Sequence, residues 1–345
     1  MISGLMLVET ILKSLIALLP VTVLATVLYR TDSHRLLGHT FILRLFVAGA
    51  ASAILCSWIN AWAISKVGMD FTDFTRYVSP VVEESIKAGI LVYLFRTNRI
   101  GFLIDAGIIG FAIGAGFALV ENLYYLNMAS DAHYGVWLVR GFGTAVMHGG
   151  ATALFAIVTE TLTERHLKMN PLLYLPGLVL AIVLHSIFNH FPVSPILSTV
   201  VTLLILPTIL FLLFERNEVS IHRFLEVDFD AHRRLLRQIQ HGEFSGCEAG
   251  RFLQDMKDKL EAPVAAEMIE YFCLHTELVL SAERILLARE QDIDMEIGDQ
   301  IKNNLKRMHA LEAHIGHAGL KTLQPHLHFN AKDMWEIHLL EREAV

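Results

Sequence analysis

Long apolar stretches recur through the first 215 residues of the chain, and short polar segments separate them. An α-helix needs about 20 predominantly apolar residues to cross the hydrocarbon core of a membrane. Seven stretches approach or exceed that length, and they cover residues 5–29, 41–65, 80–95, 101–127, 136–160, 172–192 and 195–214. The third is short and begins at Pro80, which suits a first helical turn because no backbone donor is lost there. The pattern predicts a polytopic membrane helix bundle of about seven spans.

The pattern changes after residue 215. Apolar residues recur at helical spacing in residues 262–288, and glycines and prolines divide the rest of the segment. We therefore predict a soluble bundle of about five helices over residues 216–345, which makes the whole chain all-α. The two segments, 1–215 and 216–345, are predicted to be a transmembrane domain and a cytosolic domain.

Composition supports this division. The mean hydropathy is +0.48 and 54% of the residues are hydrophobic, as expected for a chain largely embedded in lipid. Residues 1–215 hold equal numbers of basic and acidic residues, so the net charge of −7 belongs to residues 216–345. An acidic segment argues against nucleic-acid binding, which requires a basic surface. The three cysteines are unclustered, and their spacing matches neither a zinc motif nor a disulfide framework.

Basic residues in the loops predict the orientation. Alternate loops hold pairs of basic side chains, namely Arg30 with Arg35, Arg96 with Arg99, and Arg165 with Lys168. Cytoplasmic loops carry an excess of such residues, so we expect these loops in the cytosol. With seven spans, the N-terminus would lie outside and residues 216–345 would lie inside.

Several polar side chains fall within the predicted spans. An ionisable group at the centre of a spanning helix costs roughly 2.5–3.5 kcal/mol on insertion scales, so such residues usually have a function. The group comprises Glu83, Glu84 and Lys87 in the third span, Glu121 and Asn122 in the fourth, His148 in the fifth, and His185 and Asn189 in the sixth. With a rise of 1.5 Å per residue, they would lie about 5–18 Å below the outer surface. We therefore expect four helices to bring them together in the outer half of the bilayer.

The spacing suggests how these residues are supported. Lys87 lies one helical turn from both Glu83 and Glu84, so it can pair with either carboxylate. Gly110 and Gly114 share the helix face of Glu121, and small residues on such a face let a neighbouring helix approach closely.

Metal-assisted peptide hydrolysis fits this set of residues. Two histidines and a carboxylate can bind a catalytic zinc ion and leave a position for water, and we predict His148, His185 and Glu121 as these ligands. Another glutamate, Glu83 or Glu84, can take the proton from water and pass it to the leaving amine. Lys87 can keep a carboxylate ionised, and Asn189 can orient a histidine or an oxyanion. A metal-free mechanism, in which a glutamate activates water and the histidines stabilise the oxyanion, uses the same residues.

The motifs also resemble those of the PrsW family of intramembrane proteases, which is related to the CAAX prenyl endopeptidases. The similar motifs are EExxK at Glu83, FxxxEN at Phe117, the lone His148, and HxxxN at His185, and they lie within residues 75–192. The resemblance implies that Glu83, Glu84, Glu121, His148 and His185 are the catalytic candidates. It also implies a bacterial inner or plasma membrane and a membrane-bound substrate, such as an anti-sigma factor cleaved on its outer side. Residues 216–345 lie outside the resemblance, and from their position we predict oligomerisation or partner binding there.

Two other functions use the same kind of residues. Buried glutamates and histidines also form proton relays, so a proton-coupled transporter is an alternative, although the chain shows no clear inverted repeat. A non-catalytic receptor with a cytosolic partner is the other alternative. Outside the main group, we interpret Glu9 and Lys13 as a self-neutralising pair and His190 as interfacial. Asp105, Arg140 and Glu160 lie near span ends, where we expect them to reach water.

Overall fold

The computed structural model describes residues 2–30, 37–129, 131–163, 170–240, 262–290, 293, 295–323 and 331–344. These residues form helices and contain no β-strand, which confirms the all-α prediction. They divide into two compact units, one ending at residue 217 and the other containing the described residues from 218 onward.

Seven long helices account for most of the first unit, and three of them are preceded by short helical turns. The helices are α1 (Ile2–Arg30), α2 (His39–Val67), α3 (Ser79–Arg96), α4 (Leu103–Met128), α5 (Ala145–Thr163), α6 (Leu175–His190) and α7 (Pro195–Gln240). A helical turn, Phe71–Asp73, and a π-helical turn, Phe74–Val78, lead into α3. The segment Tyr134–Leu138 and a second π-helical turn, Val139–Thr144, lead into α5, and a 3₁₀ turn, Pro171–Tyr174, leads into α6.

Among the described residues, six helical segments are long and apolar enough to cross a membrane. They are Val8–Arg30, His39–Val67, Leu103–Met128, Tyr134–Thr163, Pro171–His190 and Pro195–Glu215. The remaining predicted span corresponds to α3, which has 18 residues and is less apolar because it carries Glu83, Glu84 and Lys87. Those three side chains are buried inside the unit, so the charged groups of α3 contact other helices and not lipid.

The centre of the first unit consists of α4 and α5, which are buried along most of their length. Helices α1 and α2 pack against α4, while α6 packs against α5 and α3. The outer helices expose large apolar side chains, among them Leu15 and Leu19 of α1 and Trp58 and Trp62 of α2. Apolar exposure on this scale is unfavourable in water and suits contact with lipid. The chain is therefore an integral membrane protein.

Close contact between α4 and α5 depends on two glycines of α4, as the sequence predicts. A Cβ atom at Gly110 would lie 2.6 Å from the carbonyl oxygen of Thr152, and one at Gly114 would come closer still to that of His148. Both neighbours are backbone atoms, which cannot move aside without shifting the whole helix. Gly114 therefore sets the distance between α4 and the backbone of His148.

We expect the substitution Gly114→Ala to destabilise the protein by about 2 kcal/mol or more, because overpacking a tight contact forces the backbone to shift. Gly89→Ala on α3 is the matched control, since nothing lies within 4 Å of the position of its added Cβ atom. Thermal unfolding in detergent measures the effect. Equal melting temperatures for the two variants would contradict the tight packing of α4 on α5.

The second unit contains the end of α7 together with α8 (Ala262–Glu290), α9 (Asp299–Leu323) and α10 (Ala331–Glu343). Its core includes Phe272, Leu278 and Leu311. Helix α9 bends at Gly316, whose φ of 69° favours glycine. Burial lowers the pKa of His275 on α8 to about 3, so this ring is neutral inside the core. The predicted number of about five helices depends partly on residues 241–261, which lie outside the described residues.

Candidate active site

The predicted polar residues meet at one end of the first unit. Contacts there join the N-terminal end of α3 to α6, and the C-terminal part of α4 to the N-terminal part of α5. The residues include Glu84 and Lys87 from α3, Glu121 from α4, His148 from α5 and His185 from α6. The sequence-based expectation that four helices supply one cluster is therefore confirmed.

Glu84 is the centre of the cluster. Lys87 Nζ lies 2.7 Å from Glu84 Oε1, and His185 Nδ1 lies 2.8 Å from the same oxygen. His148 Nδ1 is 3.9 Å away. Both partners in the ion pair are fully or almost fully buried, so Glu84 and Lys87 compensate each other's charge in a dry environment.

These contacts favour a different tautomer for each of the two histidines. Lys87 can only donate, so at 3.2 Å it donates to an unprotonated Nδ1 of His148, whose Nε2–H then donates to Glu121 Oε2 at 3.1 Å. His185 shows the opposite pattern, because its Nδ1–H donates to Glu84. The Nε2 lone pair of His185 is therefore directed away from Glu84 and lies 3.9 Å from Glu83 Oε2.

Glu83 presents one oxygen to the cluster and uses the other for support. Its Oε1 accepts hydrogen bonds from Ser79 Oγ and, at 3.1 Å, from Asn60 Nδ2 of α2. Its Oε2 is buried and has no hydrogen-bond partner among the described residues. A buried carboxylate oxygen without a partner is unfavourable, so a cation or a proton donor is the natural occupant of this position.

Three of the side chains are placed to share a metal ion. Ligand atoms of Glu83, His148 and His185 lie within 4.8 Å of one another, and all three residues are buried. Glu121 is the carboxylate ligand predicted from the sequence, whereas the structure places Glu83 beside both histidines. Glu121 instead contacts His148 at Nε2. The ligand role of Glu121 stays a prediction.

Glu121 belongs to a network that the sequence analysis missed. Arg140 Nη2 lies 3.0 Å from Glu121 Oε2, and Arg140 Nε donates to Asn122 Oδ1 at 3.0 Å. The prediction that Arg140, Asp105 and Glu160 reach water is therefore wrong. Asp105 and Glu160 are buried, and Arg140 is directed into the site. Their positions near span ends made them resemble interfacial residues, but protein rather than solvent surrounds them.

A scan against protein-family models assigns the chain to a known family. The model of the PrsW family intramembrane metalloproteases matches residues 33–214, which is more than half of the chain. The chain belongs to the PrsW family of intramembrane metalloproteases. The resemblance of the four motifs is thus confirmed, and the matched region contains every residue of the cluster. Searches of curated proteins and of solved structures found no significant match.

Asn189, which the sequence analysis places in the catalytic group, has a structural contact in this PrsW-family chain. In the π-helical turn before α3, the N–H of Ser79 bonds to Phe74 O. The carbonyl of Thr75 then faces Pro80, which has no N–H, and Asn189 Nδ2 donates to it at 2.8 Å. Ser186 supports the next carbonyl, that of Arg76, in the same way. Asn189 therefore holds α6 against the turn before α3, and a catalytic role for Asn189 stays a prediction.

The remaining predicted contacts lie outside the cluster of this PrsW-family chain. Glu9 and Lys13 form the expected ion pair at 2.7 Å. His190 packs its ring against Tyr77 and contacts the carbonyl oxygen of Ser186. Asn60 and Ser79 were missed because a single amide or hydroxyl within an apolar helix carries little signal in one sequence.

Proposed function

We propose that this chain hydrolyses a peptide bond of a membrane-associated protein, with Glu84 as the proton acceptor and with zinc held by Glu83, His148 and His185. The observation that carries the proposal is the buried group of ligand atoms from Glu83, His148 and His185 within 4.8 Å of one another, with Glu84 Oε1 2.8 Å from His185 Nδ1 and 3.9 Å from His148 Nδ1. The family assignment supports the reaction class.

The side chains fit a zinc ion. Two imidazole nitrogens and one carboxylate oxygen are a typical ligand set for catalytic zinc and leave a position for water. The unpartnered oxygen of Glu83 and the Nε2 lone pair of His185 suit an electropositive partner, and Nδ1 of His148 would exchange its contact with Lys87 for the metal. When bound, zinc would lower the pKa of water towards 7 and polarise the carbonyl group of the substrate.

The protein side chains perform the proton transfers. The carboxylate of Glu84 accepts a proton from the attacking water and later passes it to the nitrogen of the leaving amine. Lys87 keeps Glu84 ionised before the reaction, and its ammonium stabilises negative charge that develops at the carbonyl oxygen. Glu84 and Glu121 hold the two imidazoles through their N–H groups, which fixes the rings and raises their basicity as ligands.

Burial explains how such a site works inside a membrane. The side chain of Glu84 is 1% exposed, whereas that of Glu121 is 22% exposed. Water and substrate therefore approach from the side of Glu121, and the rest of the cluster is kept dry. In a dry site, electrostatic interactions are stronger than they are in water.

The proposal extends to topology and substrate. We place the N-terminus outside and residues 216–345 in the cytosol, because of the basic loops described above. The substrate would then be a bacterial membrane protein cleaved near the outer surface, and an anti-sigma factor fits the resemblance. Residues 216–345 would serve oligomerisation or bind a cytosolic partner.

Reconstitution in liposomes tests the proposed function. We expect the purified chain to cleave single-span model substrates into defined fragments, phenanthroline to stop cleavage, and added zinc to restore it. Cleavage that resists the chelator would support the metal-free mechanism. Ion flux without any cleavage would contradict the proposal and support a transporter.

A further inference from the structure

Arg140 joins three helices at the edge of the active site. Its Nη2 atom pairs with Glu121 Oε2, and its Nε–H donates to Asn122 Oδ1. Asn122 Nδ2 in turn donates to the carbonyl oxygen of Ala17 on α1 at 2.8 Å. The consecutive residues Glu121 and Asn122 therefore both contact one guanidinium, and Asn122 ties that guanidinium to α1.

The guanidinium of Arg140 also packs against an aromatic ring and is mostly buried. Its Cζ atom lies 3.7 Å from the ring centroid of Tyr125, so the cation rests against the aromatic ring. The side chain of Arg140 is 14% exposed. The N–H groups of Nη2 are not aligned for a hydrogen bond, so the contact with Glu121 is an ion pair and Nε–H supplies the directional bond.

A π-helical turn brings Arg140 to the site. Residues eight apart on a regular α-helix point about 80° away from each other, because each residue turns by about 100°. Arg140 lies in the π-helical turn Val139–Thr144, upstream of His148 on α5. The extra residue of a π-turn reduces the difference to about 20°. Arg140 and His148 therefore face the same side, and Glu121 Oε2 contacts both.

We propose that Arg140 is a positioning residue of the active site. Its guanidinium holds the carboxylate of Glu121, and Glu121 holds the Nε2–H of His148, which fixes the ring whose Nδ1 faces the metal-binding cluster. The inference rests on the proposed function, because it assigns a task within that site. It also explains why Glu121, the most exposed carboxylate of the cluster, is not left to rotate towards water.

Steady-state cleavage by reconstituted Arg140 variants tests the proposal. We expect Arg140→Ala to lower kcat by about 10–100-fold with KM changed less than about 2-fold, since outer partners of ligating histidines have effects of this size. Arg140→Lys keeps the charge and should recover part of kcat. Added guanidinium ion, at millimolar concentration, should partly rescue Arg140→Ala. Zinc affinity, measured by competition with a fluorescent chelator, should fall about 10-fold or more in Arg140→Ala.

Arg44→Ala is the matched control, because Arg44 is an exposed arginine of α2 outside the site. An Arg140→Ala variant that matches this control in kcat and zinc affinity overturns the proposal. Lost activity with lower thermal stability, and no recovery with lysine or guanidinium, also overturns it, since a purely structural arginine would behave in this way. Glu84→Gln is measured in parallel. If that variant cleaves as the wild type does, the proposed function itself fails. If Glu84→Gln is inactive while the Arg140 variants cleave normally, only the positioning role of Arg140 is rejected.

Discussion

Replacing Glu84 with glutamine should abolish proteolysis without displacing the histidines. The amide oxygen of glutamine can still accept from His185 Nδ1–H and from Lys87, so the two contacts that organise the cluster are retained. What is lost is the ability to take a proton from water. Because general acid–base groups contribute about 10²–10⁴-fold, we expect the rate of cleavage to fall by about that factor.

The buried charge of Lys87 must be considered in this experiment. Removing the negative charge of Glu84 leaves a fully buried ammonium without its partner, and breaking a buried pair on one side costs about 3–5 kcal/mol. The double variant Glu84→Gln with Lys87→Met removes both charges and should recover most of the stability. We expect this variant to fold and to remain inactive.

Glu9→Gln is the matched control for this series, because Glu9 forms an ion pair with Lys13 on α1, away from the cluster. Its cleavage rate should equal that of the wild type. Product analysis by gel electrophoresis and melting temperatures in detergent measure the two effects separately. Near-normal cleavage by the folded double variant would show that Glu84 is not the proton acceptor.

The cluster could be predicted from the sequence because the membrane restricts the possible arrangements. Once the spans and their alternating directions are assigned, the depths of Glu84, Glu121, His148 and His185 follow from the rise of a helix. Polar residues that are costly in lipid must then face one another. The structure confirms that these residues converge, because contacts link all four of them.

Register and packing details could not be predicted in the same way. Sequence alone does not reveal the π-helical turn Val139–Thr144, which directs Arg140 into the site. Without it, an arginine near the end of a span resembles an interfacial residue. The choice between Glu83 and Glu121 as a ligand likewise depends on how each helix is rotated about its own axis, which the spacing of residues does not determine. Depth could be inferred, whereas the direction of each carboxylate required the packed structure.

The number of spans also could not be settled from hydropathy alone. Helix α3 is predicted from the sequence as a span like the others, but its buried carboxylates and lysine make it less apolar than the six described segments that resemble ordinary membrane spans. Its charges are acceptable because α2, α5 and α6 surround them and supply partners such as Asn60, His148 and His185. A helix that carries buried carboxylates is recognised by its surroundings and not by its hydropathy.

With the proposed ligand set, replacing His185 with alanine should remove both zinc binding and activity. His185 supplies an Nε2 lone pair beside Glu83 Oε2, and no other described histidine of α6 reaches the cluster. His190→Ala is the matched control, since His190 lies five residues later on the same helix and contacts Tyr77 and the carbonyl oxygen of Ser186. We expect elemental analysis to find wild-type zinc in His190→Ala and at least about tenfold less in His185→Ala. Undiminished zinc in a folded His185→Ala variant would exclude this histidine as a ligand.

Measuring the zinc content of variants at Glu83 and Glu121 can also decide which carboxylate is the third ligand. If Glu83 is the third ligand, Glu83→Gln should lower the zinc content to the level of His185→Ala, because an amide oxygen is a weaker and uncharged donor. Glu121→Gln should then retain more zinc, since Glu121 acts on the far nitrogen of His148 and its loss weakens binding only through the orientation of that ring. The reverse order would identify Glu121 as the ligand, as the sequence pattern predicts. Cleavage by wild-type protein that contains no metal would instead favour the metal-free mechanism, in which a glutamate activates water and the histidines stabilise the oxyanion.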